Sequence, residues 1–306
     1  MEGNFAYTAE LVESYVDNLE LLELMDNKIY KLAGTVKAKG PEHFWLKDSV
    51  RASKAPSDAA KPEGRQFVGQ AGSDVTRIYN TTQLFMEDVQ VTGTTQRSDH
   101  LAVADRFAHE VMKTEKAVAK DIERAMIYGV RDQGTFAAGT ESAERQLGGV
   151  KELIEDNAAT NYFDGAATLD EDLLTSYIQA TWTNGDRQKA LDVFTSPAQK
   201  NAITLFTTPN QRTIEAKAKM IVLPVDTIAT DFGEVNIHLH REMAAGDMLG
   251  LDTSTIYKAS LLAPTTERYG KRGDSEDGAV KAELTVELRR PENSFFVTDL
   301  TTGTTS

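Results

Sequence analysis

His238 and His240 stand two residues apart, a spacing that on a β-strand turns both imidazoles to one face, where they could chelate zinc. A zinc site needs a third ligand of His, Asp or Cys in register. Cysteine is absent and the other histidines, His43, His100 and His109, are scattered, so no metal is expected. Asp231-Phe232-Gly233 matches the magnesium-binding tripeptide of protein kinases. That chemistry also requires a glycine-rich phosphate loop, a strand lysine and a catalytic-loop aspartate, none of which stands in the needed context. Asp and Gly suit a hairpin turn, and a turn is the expectation here. Acidic neighbours such as Glu171 with Asp172, or Asp274 with Glu276, follow from the abundance of carboxylates; an acid–base pair is made by environments that separate two pKa values, not by adjacency. Spacings of the Ser-His-Asp and Walker kinds are missing. The sequence offers no catalytic or cofactor-binding residue, calls for no cofactor, and reads as that of a non-enzyme.

The charge balance narrows the class further. Over 306 residues, 33 bases against 47 acids give a net charge of −14. That balance repels phosphate backbones and anionic lipid heads, which disfavours a nucleic-acid reader and leaves most of the acidic excess as solvated surface. Trp45 and Trp182, with Phe44, Phe67, Tyr79 and Phe85, are of the types that stack on single-stranded bases. Such platforms work inside basic grooves, so these aromatics are expected in cores or interfaces. Without cysteine, stability must come from packing, backbone hydrogen bonds and contacts with other chains. The first fifteen residues carry acids where a secretory signal has a basic region and an apolar run, and no apolar stretch approaches the roughly 20 residues that cross a bilayer. A soluble chain with no membrane partner is expected.

The elements that must position these residues can be read from periodicity. Leu11, Val12, Tyr15, Val16, Leu19, Leu22, Met25, Ile29 and Leu32 recur at spacings of three and four, a helical face with Gly34 as its stop. Glu42 to Val50 and Val75 to Val91 read as strands on either side of a long loop, Arg51 to Gly72, rich in Ala, Ser, Lys, Pro and Gly. A structureless loop this long is uncommon in a compact domain, and a lone hairpin is marginal in water, so this excursion needs a partner surface. Ser98 is expected to cap a helix running to Tyr128, about 46 Å at 1.5 Å per residue. Asp132 to Gly149 reads as a boundary. Thr168 with Glu171 forms a capping box for a helix ending near Asn184-Gly185. Ala190 to Phe194 reads as a strand, and Ser196-Pro197 with Gln199 opens another helix that buries Ile203 and Phe206. Strands follow at Met220 to Ala229, Val235 to Leu239, Val280 to Arg290 and Phe295 to Val297, with Leu239 on the buried side and His240 on the open one.

The order of parts, an N-terminal arm, a long hairpin loop, a long helix, an α/β region and closing strands, resembles the Hong Kong 97-type major capsid protein of tailed bacteriophages. Phrases along the chain carry the likeness: His43-Phe44-Trp45-Leu46-Lys47-Asp48-Ser49, Glu63-Gly64, Asn80-Thr81-Thr82-Gln83 and Val91-Thr92-Gly93-Thr94-Thr95-Gln96 are similar to the SU-ten-like branch of phage major head proteins. Lys120-Asp121-Ile122-Glu123 with Gly129, Leu147-Gly148-Gly149, Asp231-Phe232-Gly233 and Leu249-Gly250-Leu251-Asp252 continue it.

The resemblance implies an α+β capsid fold and a shell-building role. Residues 1–41 would be the N-arm, 42–97 the extended loop with its flanking strands, 98–149 the peripheral domain with a spine helix at 98–128, 150–230 mainly the axial domain, and 231–306 the return to the peripheral domain with the closing strands. Copies would form hexamers and pentamers of an icosahedral or prolate head, in the virion after assembly in the host cytoplasm, around double-stranded DNA that the acidic wall does not read. A separate scaffolding protein, the portal and a decoration protein are the implied partners, the arm being too short for a fused scaffold. Segment 42 to 91 is expected to save its apolar side chains for a neighbouring copy, with Arg65, Phe67, Val68, Arg77 and Trp45 as contacts, and the loop 51–72 to order on assembly. The competing readings are an encapsulin-like compartment with an enzyme cargo and a hydrolase.

Overall fold

The computed structural model describes residues 27–48, 50, 53–66, 75–97, 105–134, 144–165, 167–186, 190–207, 227–270 and 273–301, with side chains to residue 204 in the helix that ends at Thr207. In chain order the elements are α1 (Lys28–Leu32), β1 (Gly34–Lys37), β2 (Glu42–Lys47), α2 (Pro56–Ala59), β3 (Thr76–Thr81), β4 (Gln83–Thr92), α3 (Gly93–Arg97), α4 (Arg106–Tyr128), α5 (Val150–Asn157), β5 (Tyr162–Asp164), α6 (Glu171–Asn184), β6 (Leu191–Thr195), α7 (Pro197–Thr207), β7 (Thr227–Thr230), β8 (Gly233–Leu239), β9 (Met248–Leu251), β10 (Ile256–Arg268), β11 (Ser275–Leu288) and β12 (Phe295–Thr298). The expected α+β class holds.

The strands form three sheets: β1-β10-β11-β4, β5-β12-β9-β6-β8-β7, and the pair β2-β3. The six-stranded sheet is buried on both faces, and the period of two sorts its residues. Leu191, Val193, Val235, Ile237, Phe295 and Val297 point into a core shared with Leu174, Tyr177 and Ile178 of α6 and Ile203 of α7. Their neighbours Phe194, Leu249, Leu251 and Phe296 point the other way, into a core built with Ile122 and Met126 of α4, Leu153 and Ile154 of α5, and the inner residues of β11. Burial on both sides is why Phe295-Phe296-Val297 reads as an unbroken apolar run.

Several boundaries differ from the sequence reading, each for a local reason. The long helix begins at Asp105, whose extended backbone (φ −127°, ψ 105°) and carboxylate, accepting from Ala108 N at 3.1 Å, cap it. Its 23 residues span about 34 Å; Ser98 lies outside the described residues. The cap of α6 is Asp170, which accepts from Leu173 N at 2.7 Å, because Thr168 is engaged in a bridge to Thr301. Ser196 precedes α7 as expected, but its hydroxyl finds no partner among the described residues. The strand expected over 75–91 breaks at Thr82, whose N–H is drawn to Pro41 O at 2.7 Å, so that β3 pairs with β2 while β4 pairs with β11. Gly34 does not stop a helix but opens β1, parallel to β10, where a Cβ would lie 2.5 Å from the Tyr257 ring. β8 ends at Leu239, so the alternation fails there: Leu239 is exposed and His240 buried. Asp231 and Phe232 form a two-residue turn between Thr230 and Gly233, the latter at φ +116°, which glycine alone adopts without strain. Of the helix expected over 11–32, α1 is described; residues 11–26, the side chain of Phe206, and most of the strand from Met220 lie outside what is described.

Candidate assembly surface

β2 and β3 form an antiparallel pair with Phe44 opposite Tyr79, Trp45 opposite Ile78 and Leu46 opposite Arg77. Residues directly opposite share a face, so the hairpin has two sides of different fate. On the inner side Trp45 is 8% exposed, packs in the core with Ile78, and donates its indole N–H to Leu288 O at 3.1 Å. His43 Nε2 meets Glu287 at 2.8 Å, Lys47 pairs with Glu292, and Asn80 Nδ2 donates to Gly148 O and Val286 O, both at 2.8 Å. Burial pushes the Glu287 carboxyl up, but hydrogen bonds from His43 and Arg289 outweigh it and hold the group below its ordinary range. Desolvation lowers the Lys47 ammonium.

On the outer side the described residues leave most of the apolar surface open. Leu46 is 71% exposed, Phe44 is open, and Val50 and Val75 extend the strip toward the loop. Arg77 lies 3.6 Å over the Phe44 ring, which itself tilts against Tyr79. A second guanidinium, Arg131, sits 4.4 Å over Tyr79 and donates to its carbonyl at 3.0 Å. Aromatic rings carrying arginine, ringed by exposed aliphatics, are the composition enriched at protein–protein interfaces. On β4 the same division recurs, with Phe85, Val89 and Val91 buried and Leu84 and Met86 exposed.

The expected contact residues therefore separate. Arg77 lies on the open face and Arg65 is exposed beyond α2. Trp45 is corrected: it is consumed by the chain's own core, because its indole reaches Leu288 from the inner face. Phe67 and Val68 lie outside the described residues, as do 51–52 and 67–74 of the loop. The expectation that segment 42 to 91 keeps all its apolar side chains for another copy is corrected for one face, where Ile78, Phe85 and Val89 close on the chain itself, while Phe44 and Leu46 on the other face are exposed. Phe44, Leu46 and Tyr79, which share the open face with Arg77, were not among the expected contacts, though their position one residue off Trp45 and Ile78 was the available signal.

The polar groups that could suggest chemistry are tied up in structure. The two histidines of the strand part company: His238 Nε2 meets Asp192 at 3.1 Å, and His240 Nε2 meets Glu123 at 2.9 Å. Burial raises the Asp192 carboxyl, but hydrogen bonds from His238, Asn236 and Thr253 hold it below the usual carboxylate range. Burial and the bond to Asp247 push the Tyr128 hydroxyl well up, against the backbone bond from Ala244. Among the described residues no three His, Asp or Glu side chains converge as a metal site would require, and no helix is long and apolar enough to cross a membrane.

Comparison with known proteins places this geometry. A family model described as SU10 major capsid protein matches residues 1–301. Curated proteins give no match. Among solved structures, the cyanophage A-1(L) capsid asymmetric unit is 13% identical, with 96% of this chain and 98% of that one covered at a TM-score of 0.65. The capsid of a native GTA particle is 11% identical, with 97% and 98% covered at 0.64. A chain of Mycobacterium phage Adephagia is 12% identical, with 99% and 100% covered at 0.62. At these identities the likeness is one of fold.

Proposed function

Because the chain belongs to the SU10 major capsid protein family, we propose that its copies close into the hexamers and pentamers of an icosahedral or prolate tailed-phage head around double-stranded DNA. Its role is that of a major capsid protein, a structural subunit with a Hong Kong 97-like fold and a component of the virion. Assembly takes place in the host cytoplasm, with a separate scaffolding protein, a portal and a decoration protein as partners, and the acidic wall holds DNA without reading it.

Residues 1–41 act as the arm and 42–97 as the extended loop; the core around α4 and the four-stranded sheet serves as the peripheral domain, and the core between α6, α7 and the six-stranded sheet as the axial domain. The separation into two apolar clusters supports this division. It also supports an axial domain that takes in Val235, Ile237, Phe295 and Val297 from beyond residue 230, since these share the second cluster.

The observation that carries the reading is the two-faced hairpin: an inner face pinned to β11 by Trp45, His43 and Asn80, and an outer face on which Phe44, Leu46 and Arg77 are exposed and Tyr79 is half-buried under Arg131. A neighbouring copy laid on that outer face repeats the contact around a ring and closes it. Leu46→Asp places an unpaired charge in that contact. The substituted chain is expected to melt like the unsubstituted one and to fail to form particles in negative-stain microscopy and sedimentation. Particles as abundant as those of the unsubstituted chain would overturn the reading.

A further inference from the structure

β8 runs on past its pairing with β7: Thr227 stands opposite Asn236, while Ile237, His238 and Leu239 are paired on the β6 side alone among the described residues. Two lysines from separate helices turn onto the open edge. Lys28 of α1 donates to Leu239 O at 2.5 Å, and Lys200 of α7 donates to Ile237 O at 3.0 Å. Residues two apart on a strand are about 6.6 Å apart, so the strand fixes the two ammonium groups as near neighbours. With Thr227, Asn236 and His238 they border a pocket of about 440 Å³, and none of the described residues lining it is acidic. We propose that this pocket binds a phosphate group, free or esterified in a nucleic-acid backbone.

Like charges set side by side repel, and edge carbonyls that water can reach need no ammonium to satisfy them. An anion seated between the two lysines reverses the sign of that interaction. Both lysines are half-buried, where salt screens their charges less than at the open surface. In a chain of net charge −14, an acid-free pocket holding two bases stands out against its surroundings. The carboxylate behind the lining, Asp192, already accepts from Asn236 Nδ2 at 3.0 Å, from the Thr253 hydroxyl at 3.0 Å and meets His238 Nε2 at 3.1 Å, which offsets its own charge. The shape of the anion follows from the directions of approach. A tetrahedral phosphate offers oxygens on separate sides and can meet ammonium groups that arrive from two different helices, whereas a planar carboxylate presents both oxygens in one direction. Contact with a phosphate carries no base sequence, so the site is consistent with an acidic chain that does not read DNA.

Nothing in this pocket depends on the capsid reading, and the test uses unassembled full-length protein. In about 50 mM phosphate the unfolding midpoint is expected to lie about 3 °C above that in sodium chloride of equal ionic strength. Lys28→Gln combined with Lys200→Gln is expected to abolish this gain; glutamine can still donate to a strand carbonyl, but it carries no charge. Lys37→Gln combined with Lys39→Gln, which removes two exposed charges elsewhere, is expected to keep it. Should the pocket pair not fold, either single variant is expected to lose about half of the gain. A short DNA duplex replaces inorganic phosphate in the second arm, read by fluorescence anisotropy. Binding about fivefold weaker in the pocket pair than in the exposed pair assigns the site to the nucleic-acid backbone. Unchanged duplex binding beside a lost phosphate gain assigns it to free phosphate. A gain of equal size in all variants reflects only the general exclusion of phosphate from protein surfaces, and with unchanged duplex binding it overturns the proposal.

Discussion

Replacing Glu123 by alanine tests how the root of the N-terminal segment is held. The carboxylate lies in the last two turns of α4 with no exposed surface, and it accepts from Ile29 N at 2.8 Å, Tyr30 N at 2.9 Å and His240 Nε2 at 2.9 Å. The ring's other nitrogen accepts from Glu242 N at 3.2 Å, which fixes the tautomer: Nε2 carries the hydrogen given to Glu123. Glu123 therefore substitutes for the missing side-chain cap of α1, whose N-cap residue Asn27 makes no capping bond. Removing it leaves three donors in a dry core at about 1–3 kcal/mol each, discounted for relaxation to a total of about 3–5 kcal/mol. With an unfolding entropy of about 2.1 cal/mol/K per residue over this chain, about 4 kcal/mol lowers Tm by roughly 6 °C. Glu123→Gln is expected to rescue little of this, because its NH2 must face either a backbone N–H or the protonated Nε2, and turning the imidazole's tautomer exposes Glu242 N to another donor. The assay is thermal unfolding of unassembled protein, with hydrogen exchange at Ile29 and Tyr30 and a double-mutant cycle to His240→Ala. A loss under about 1 kcal/mol for Glu123→Ala, or full rescue by Gln, would refute the capping argument.

Three further outcomes follow from single contacts. Gly250→Ala sets a methyl 2.1 Å from the Phe295 ring between β9 and β12 and is expected to cost about 1–3 kcal/mol in chemical unfolding, with no loss if the ring can yield. Asp170→Ala is expected to destabilise by about 0.5–2 kcal/mol and Thr168→Ala by less, since Asp170 makes the capping bond; the reverse order would reinstate Thr168. Asp192 and Glu287 both have carboxyls held below their ordinary range, so the stability they contribute is present above the unfolded carboxylate pKa and is lost as pH falls through the folded one. Unfolding free energy should then be flat above about pH 5 and fall below about pH 4, less steeply in Asp192→Asn; an unchanged acid slope in that variant would count against the role given to His238, Asn236 and Thr253.

Helices with a clear stripe and strands with a clear alternation were legible in the sequence: α6, β6, α7, the β7–β8 turn and the sequence limits of β2 all stand near their expected places. The misplaced boundaries share a cause. Thr168 is a good capping residue, yet Asp170 does the capping, because a cap is chosen by which backbone around it is already engaged, and Thr168 was engaged by Thr301. Thr82 broke a strand that propensity would have continued, because Pro41 O, 41 residues earlier, took its N–H. His240 was expected on an open face, and only the arrival of Glu123 from α4 makes its burial possible.

The assembly surface shows why a site of this kind is harder to read than a catalytic one. Segment 42–47 has an aromatic or aliphatic residue at each of Phe44, Trp45 and Leu46, so neither face of the strand declares itself inner by hydrophobicity. What decides is the polar flank. His43, Lys47 and Asn80 share the face of Trp45, and each finds its partner on or beside β11, at Glu287, Glu292 and Val286 O. These partners lie more than 200 residues away, and no local pattern around Trp45 encodes them. Once the polar groups commit their face to the body, the period of two commits Phe44 and Leu46 to the opposite side, where the described residues leave them exposed. A contact surface of this type is the residue of a folding decision made by other side chains, and it becomes visible only when the long-range hydrogen bonds of the inner face are known.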